Sequence, residues 1–184
     1  SESSKYIHYG VTTQNIQQSG QLIVLKQIHE KYLLICSKIL DNLAKLAENN
    51  KDSVMAGRTH GKHATPITYG YKVSVWISDI LTSVERMKEV EKRTFKIMMG
   101  GAVGAFNTVG ETERKVQDRV AEILGMYSMD VPSRNITSHK EEYIMGLALL
   151  ANNCHKIAEE VITGERTATQ YGRVSAATRR RTGP

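Results

Sequence analysis

The chain has 184 residues, enough for one domain with a hydrophobic core, and 40% of them are hydrophobic while 24% are charged. It contains no apolar run of about 18 residues, which excludes an ordinary membrane-spanning helix. A formal net charge of +6 would suit nucleic acid or a membrane surface, but Lys and Arg alternate with Glu, as in residues 85–93, and this mixing argues against both.

The cysteines, Cys36 and Cys154, both fall in apolar stretches with helical spacing. This predicts two buried free thiols instead of a disulfide, and therefore a reducing compartment. No signal-peptide pattern is present, so we expect a soluble, cytoplasmic protein.

Apolar residues recur in three- and four-residue steps along most of the chain, which predicts helices and no strands. The first helix begins near Thr12 or Thr13 and ends at residues 49–52. At about 35 residues it is far longer than the average helix of a globular domain. We therefore expect an all-α fold, a bundle of long helices that other subunits complete. Further helices are predicted at residues 66–98, 111–124 and 137–164.

The segment before the first helix, residues 8–15, combines hydroxyl and amide side chains. Thr12, Thr13 and Asn15 at a helix N-terminus can bind a carboxylate by several neutral hydrogen bonds. Simple capping by Thr12 or Thr13 explains the same residues. His8 alone fits a partly buried polar residue as well as a catalyst.

The second polar segment contains Arg58, Thr59, His60, Lys62 and His63. We expect it to be a loop, followed by a helix that has Pro66 in its first turn. Two histidines three residues apart suggest a metal site, but no further ligands follow at a useful spacing. A histidine beside cations also suits general acid/base catalysis. An ordinary basic loop remains the alternative.

Two more segments are unusual. The glycines of residues 100–104 could cradle a phosphate, but the spacing lacks the features of a phosphate-binding loop, so a tight turn with closely approaching backbones is favoured. Residues 133–140 offer donors, acceptors and cations just before a helix. Capping by Thr137 or Ser138, with Glu141 nearby, explains them equally well.

The order of these segments resembles one enzyme family. Residues 8–15 (HYGVTTQN), 57–70 (GRTHGKHATPITYG) and 101–104 (GAVG) are similar, at the expected intervals, to sequence regions of the adenylosuccinate lyases in the fumarase/aspartase superfamily. Residues 171–175 (YGRVS) are weakly similar to a later region. The resemblance covers nearly the whole chain and identifies residues 1–184 as the central helical-bundle domain, without the flanking domains of the family.

The resemblance implies a homotetramer in which four five-helix bundles form a common core and each active site lies where three subunits meet. It implies a lyase of purine biosynthesis that eliminates fumarate from adenylosuccinate and from the related succinyl-carboxamide ribotide, through an aci-carboxylate intermediate. We expect an anionic small-molecule substrate, and we expect no nucleic acid, membrane, metal or organic cofactor to be involved.

The resemblance also assigns roles to residues. His60 would be the acid/base histidine, and Thr12 and Thr13 would hold a substrate carboxylate. The remaining residues of the expected substrate site are His8, Asn15, Thr59, Lys62 and His63.

The chain lacks the region that supplies the serine base of the family on a mobile loop. We therefore expect the chain alone to be inactive. The alternatives are another enzyme of the superfamily, such as a 3-carboxymuconate cycloisomerase or an amino-acid lyase, and a non-catalytic helical oligomerisation module.

Overall fold

The computed structural model describes residues 2–181, with side chains for all of these except residue 111 and residues 165–181. A short 3₁₀ helix, Glu2–Tyr6, precedes the regular elements. In chain order these are α1 (Thr13–Asn49), β1 (Val54–Thr59), β2 (Lys62–Thr68), α2 (Tyr69–Glu89), α3 (Glu91–Thr94), β3 (Lys96–Ile97), α4 (Glu111–Ile123), β4 (Tyr127–Ser128) and α5 (Ser138–Arg181).

Long helices dominate, so the predicted helical bundle is confirmed. The first helix, α1, has 37 residues, close to the expected length. Its only interior glycine, Gly20, has no atom within 4 Å of the position where a Cβ would lie, so it interrupts neither the helix nor its packing. The turn after Asn49 ends α1, and the backbone amide of Asn50 closes the last turn on the Ala47 carbonyl at 3.2 Å.

Helices α1, α2 and α5 pack side by side, with α2 antiparallel to the other two. Early residues of α1 meet late residues of α2, since Leu22 and Met87 share one core cluster. Cys36 of α1 lies in a second cluster with Ile80, near the middle of α2. Each fully buried aliphatic side chain contributes about 1.5–3 kcal/mol. Between α2 and α5, the Arg93 guanidinium, just after the end of α2, pairs with Glu142 near the start of α5.

The prediction of a loop at residues 53–66, followed by a helix from Pro66, is wrong. These residues form an antiparallel hairpin, β1–β2, in which Pro66 pairs with Ala56. A bulge lies between Ala56 and Arg58, and a Cβ on Gly57 would stand 2.7 Å from the Thr65 carbonyl oxygen. Helix α2 begins only at Tyr69, where the Thr68 hydroxyl accepts from the Tyr71 amide at 3.1 Å and caps it.

The later elements agree with the prediction in part. Helix α4 has nearly the predicted bounds, and α5 starts as expected. The predicted end of α5 near residue 164 is wrong: the helix continues through Gly164 and Gly172, because a glycine without a following proline lowers helix propensity but need not stop a helix. The thiols are free, as predicted, but only Cys36 is buried; Cys154 is exposed, which corrects the prediction for that residue.

Large apolar side chains remain exposed on the outer faces of α1 and α5. On α1 they recur at helical spacing and each is at least half exposed; they are Ile16, Val24, Ile28, Leu34 and Ile35. On α5 the corresponding side chains are Ile144, Met145 and Leu149. Apolar stripes of this size are typical of surfaces that another chain covers. In the described part of the chain, no helix is both long and apolar enough to cross a membrane.

Candidate active site

Three of the four polar segments meet at one end of the bundle, around a cavity of about 170 Å³. The first turn of α1, the glycine turn after β3 and the segment before α5 each supply one wall. The lining residues are Thr12, Gln14, Met98, Gly101, Ala102, Val103, Gly104, Pro132, Ser133, Arg134 and Asn135. Three segments that are far apart in the sequence thus line a single cavity.

The glycine turn is a close backbone contact, as predicted. Gly101 and Gly104 have φ angles of 76° and 81°, in the left-handed region that favours glycine. A Cβ on Gly104 would lie 2.0 Å from the Pro132 carbonyl oxygen. No other residue fits there, because the turn and the segment after β4 touch through their backbones.

The first turn of α1 places Thr12 on the cavity and buries Asn15. The Thr12 amide donates to Asn15 Oδ1 at 2.9 Å, and Asn15 is fully buried. Asn15 therefore stabilises the helix start and lies beneath the cavity wall. Thr13 is exposed in the first helical turn, and His8 is exposed in a left-handed turn with φ 69° instead of partly buried.

The segment before α5 combines a side-chain hydrogen bond and a buried histidine. The Thr137 hydroxyl donates to Glu141 Oε1 at 2.8 Å. This bond joins two side chains and does not satisfy a backbone amide, so capping by Thr137 or Ser138 stays a prediction. His139 is 7% exposed, and its Nε2 has no hydrogen-bond partner among the described residues. Burial, with Lys140 and Lys96 nearby, lowers the pKa of His139, which keeps the ring neutral.

The second polar segment lies elsewhere, at the tip of the β1–β2 hairpin. His60 and Gly61 form the two-residue turn, with φ angles of 50° and 74°. Positive φ at both positions is the type I′ geometry that suits a tight hairpin. Thr59 pairs with Lys62, so their side chains flank the exposed His60. His60 is therefore on a hairpin tip and not in a loop directly before a helix, since α2 begins only at Tyr69.

His63 lies one step further along the hairpin, paired with Arg58, and both line a wide cleft of about 1530 Å³ against α2 and α5. The cleft carries mixed charge, with Lys72 of α2 bound to Glu160 of α5. Within the described side chains, no three His, Cys, Asp or Glu groups converge in a way that could hold a metal ion.

The cavity and the hairpin tip are far apart in one chain. Thr12 is at the start of α1, whereas the base of the hairpin is tied to its end, where the Gly70 amide donates to the Asn50 carbonyl at 2.9 Å. The 37 residues of α1 span roughly 55 Å. A seven-residue strand folded straight back recovers only about 23 Å of that length. Thr12 and His60 therefore cannot contact the same small molecule within one chain.

Sequence reasoning missed several buried polar groups. His29 in α1 has one ring nitrogen 3.0 Å from Glu91 Oε1 and the other 3.1 Å from the Tyr143 hydroxyl, which joins α1, α3 and α5. Gln117 and Glu113 of α4 bind backbone groups beside the cavity. Spacing could not have indicated Gln117 and Glu113, because polar residues on a short, charged helix usually face solvent.

The fold is a bundle of long helices with polar groups at both ends, and comparison with known proteins identifies its family. A family model described as "Lyase" matches residues 1–181. The chain is 34% identical over 167 residues to an adenylosuccinate lyase of Methanothermobacter thermautotrophicus and 36% identical over 166 residues to one of Methanocaldococcus jannaschii, covering 90% of this chain each time. The chain belongs to this lyase family, within the fumarase/aspartase superfamily.

Other relatives differ in the substrate that their names give. An N-acetyl-S-(2-succino)cysteine lyase of Enterococcus italicus is 31% identical over 90% of this chain. A fumarate lyase of Mesorhizobium sp. BNC1, at 29% identity, superposes with a TM-score of 0.84 over 89% of this chain and 38% of its own. The chain spans 37% and 36% of the lengths of the first two curated relatives.

Proposed function

We propose that residues 1–184 are the central helical-bundle domain of a carbon–nitrogen lyase of the adenylosuccinate lyase type, acting in the cytoplasm. The reaction would eliminate fumarate from adenylosuccinate and from the related succinyl-carboxamide ribotide of purine biosynthesis. The relatives at 34% and 36% identity carry that name, and the family membership supports the lyase class. An anionic substrate of this kind also suits a chain with a net charge of +6.

In this proposal, His60 acts as the acid/base group. During the elimination the C–N bond breaks, a base removes a proton from the neighbouring carbon, and the leaving nitrogen takes up a proton. An exposed imidazole on a hairpin tip can reach into a site on another subunit and there donate or accept a proton. Thr59, Lys62 and His63 surround it on the same hairpin and would contact the anionic groups of the substrate.

The other half of the proposed site is the cavity at the start of α1. Thr12 and Thr13 would hold a substrate carboxylate, with His8 beside them, and Asn15 would keep the Thr12 backbone in place through its 2.9 Å hydrogen bond. Neutral donors at a helix N-terminus stabilise the negative charge that develops on a carboxylate during the reaction.

The distance of roughly 55 Å along α1 carries the proposal, because the two halves can act together only when different subunits contribute them. The exposed apolar stripe on α1, with Val24 and Ile28 at 55% and 54% exposure, supports a homo-oligomer, which we propose is a tetramer. A stripe of this kind loses its contact with water when long helices of different copies pack together.

The test uses the full-length protein that contains this chain and compares His60→Asn with His60→Ala. Asparagine tolerates the left-handed conformation and suits a turn before Gly61, so His60→Asn retains the hairpin. We expect kcat for fumarate release to fall about 10²- to 10⁴-fold with an unchanged melting temperature. His60→Ala should lose activity and also some stability. Wild-type activity in His60→Asn would show that His60 is not the acid/base group.

A second candidate is elimination from a succinyl group carried on sulfur, which the relative from Enterococcus italicus favours. The two candidates differ in whether the substrate carries a phosphate. Assays of adenylosuccinate and N-acetyl-S-(2-succino)cysteine on the same full-length enzyme separate them, because the true substrate should have the higher kcat/KM. Should neither release fumarate, the bundle would be an oligomerisation module or part of another superfamily enzyme.

A further inference from the structure

The short parallel pair β3–β4 is interrupted at the point where the cavity begins. Its backbone bonds run from the Tyr127 amide to the Phe95 carbonyl and from the Met129 amide to the Ile97 carbonyl, both at 2.9 Å. In a regular parallel ladder, the next bond would join the Met99 amide to the Met129 carbonyl. That bond is absent.

The side-chain amide of Gln117, from α4, stands in its place. The Met99 amide donates to Gln117 Oε1 at 3.0 Å, and Gln117 Nε2 donates to the Met129 carbonyl at 2.9 Å. The side chain thus provides one acceptor and one donor, as a peptide group would. Gln117 is fully buried, and this arrangement satisfies both backbone groups without water.

The two backbone segments that leave this point form facing walls of the cavity. The glycine turn begins directly after Met99, and the segment at Pro132 follows shortly after Met129. The segments meet again where Gly104 touches the Pro132 carbonyl. One end of the gap is therefore fixed by a backbone contact and the other by the inserted amide.

A second residue on the same face of α4 holds the other side of the glycine turn. Glu113, one helical turn before Gln117, is 2% exposed, and its Oε2 accepts from the amides of Thr108 and Val109 at 3.3 Å each. Its Oε1 lies 3.4 Å from the position of a Cβ on Gly101. Helix α4 thus supports the turn from below at two points, although it contributes no lining residue to the cavity.

We propose that Gln117 is a positioning residue that acts as a wedge. Its side-chain amide keeps apart the two backbone segments that follow β3 and β4, and so sets the width of the substrate cavity. The part of this inference that concerns substrate rests on the proposed lyase function. The residue does not contact the cavity, so its effect on substrate is transmitted through the backbone at Met99 and Met129.

The first experiment is a crystal structure of the full-length Gln117→Ala protein. Without the wedge, the Met99 amide should bond directly to the Met129 carbonyl, which extends the ladder by one bond and narrows the gap. This readout does not depend on any activity. If the two groups stay apart, with water replacing the amide, Gln117 only fills space and the wedge is refuted.

The second experiment measures KM and kcat of Gln117→Ala and Gln117→Glu for the substrate that the wild-type enzyme cleaves. We expect KM of Gln117→Ala to rise at least about tenfold, with a smaller change in kcat, because the reacting groups lie outside the altered segment. In Gln117→Glu the buried carboxyl must be protonated to donate to the Met129 carbonyl. Its KM, relative to wild type at each pH, should therefore improve as pH falls.

The matched control is Asn153→Asp, because Asn153 on α5 is another bridging amide and lies far from the cavity. Its Nδ2 donates to the Asp79 carbonyl at 3.1 Å and to Ser83 Oγ at 3.0 Å. It should lose stability but keep the wild-type KM. An equal rise in KM for both sites, or no rise for Gln117→Ala, would overturn the role in positioning. A wild-type enzyme without lyase activity would instead refute the proposed function and leave the crystallographic test of the wedge intact.

Discussion

His139 illustrates how a single side chain depends on its surroundings in this protein. It lies at the start of α5, 7% exposed, with Nε2 unpartnered among the described residues. The nearby charged groups are Lys140 and Lys96, which disfavour a protonated ring, and Glu141, which favours it but has a smaller effect than burial. A buried ring without an acceptor has no means of stabilising a positive charge.

This environment predicts a pH-dependent stability. The pKa of His139 in the folded chain lies below its ordinary value of 6.5, so the unfolded chain binds a proton that the folded chain does not. The free energy of unfolding is therefore highest, as far as His139 is concerned, above pH 6.5. It falls as the pH drops from there towards the lower pKa of the folded chain. Urea unfolding of wild type and His139→Gln at about pH 7.5 and 5.5 checks it. Wild type should lose more unfolding free energy than the variant; equal losses would contradict the buried neutral ring.

The site residues were predictable from the sequence only where the backbone has a recurring geometry. Thr12 follows a glycine-containing segment and precedes a long apolar repeat, so its place at a helix start could be inferred. That Asn15 is buried could not be inferred, because burial depends on what packs over the helix. The role of Gln117 could not be inferred either. A glutamine that bridges two backbone groups has the same neighbours in the sequence as a glutamine whose side chain faces water.

At the scale of elements, the glycine turn and the hairpin show how the backbone shapes the two polar ends. Gly104 has a φ of 81° and stands against the Pro132 carbonyl, so both its conformation and its lack of a Cβ are required. Gly20, within α1, is required for neither, since its conformation is helical and no atom lies within 4 Å of a Cβ there.

Alanine substitutions at these two glycines should therefore have opposite effects. Gly104→Ala should lower the free energy of unfolding by about 2 kcal/mol or more, through left-handed strain and the clash with the Pro132 carbonyl. Gly20→Ala should raise it by about 0.5–1 kcal/mol, because alanine loses less entropy in a helix. Chemical denaturation measures both. A neutral Gly104→Ala would mean that the turn and the segment at Pro132 do not touch.

The length of α1 followed from the sequence, but the hairpin and the ends of α2 and α5 did not. The apolar spacing of α1 is regular over many turns, and such patterns are the most reliable signal in a single sequence. Residues 54–68 lack the alternation of a half-buried strand because most of their side chains are exposed. The pairing is set instead by the bulge at Gly57 and the left-handed turn at His60 and Gly61.

At the scale of the whole molecule, the bundle separates the groups that a single reaction would need. The cavity at Thr12 and the hairpin at His60 lie at opposite ends of a helix of roughly 55 Å. The sequence predicted the long helices and hence an oligomer. It could not predict which polar segments share an end of the bundle, because that depends on the antiparallel packing of α2 against α1.

Mixing two inactive variants of the full-length protein tests the shared site most directly. Thr12→Val removes the hydroxyl at the cavity and retains its shape, and His60→Asn removes the imidazole and retains the turn. Each variant alone should be inactive. In the proposed function, complete sites draw Thr12 and His60 from different subunits, so assemblies formed by unfolding and refolding the two variants together should regain part of the wild-type rate of fumarate release. Mixed oligomers, verified by native mass spectrometry, that stay inactive would contradict a site shared between copies.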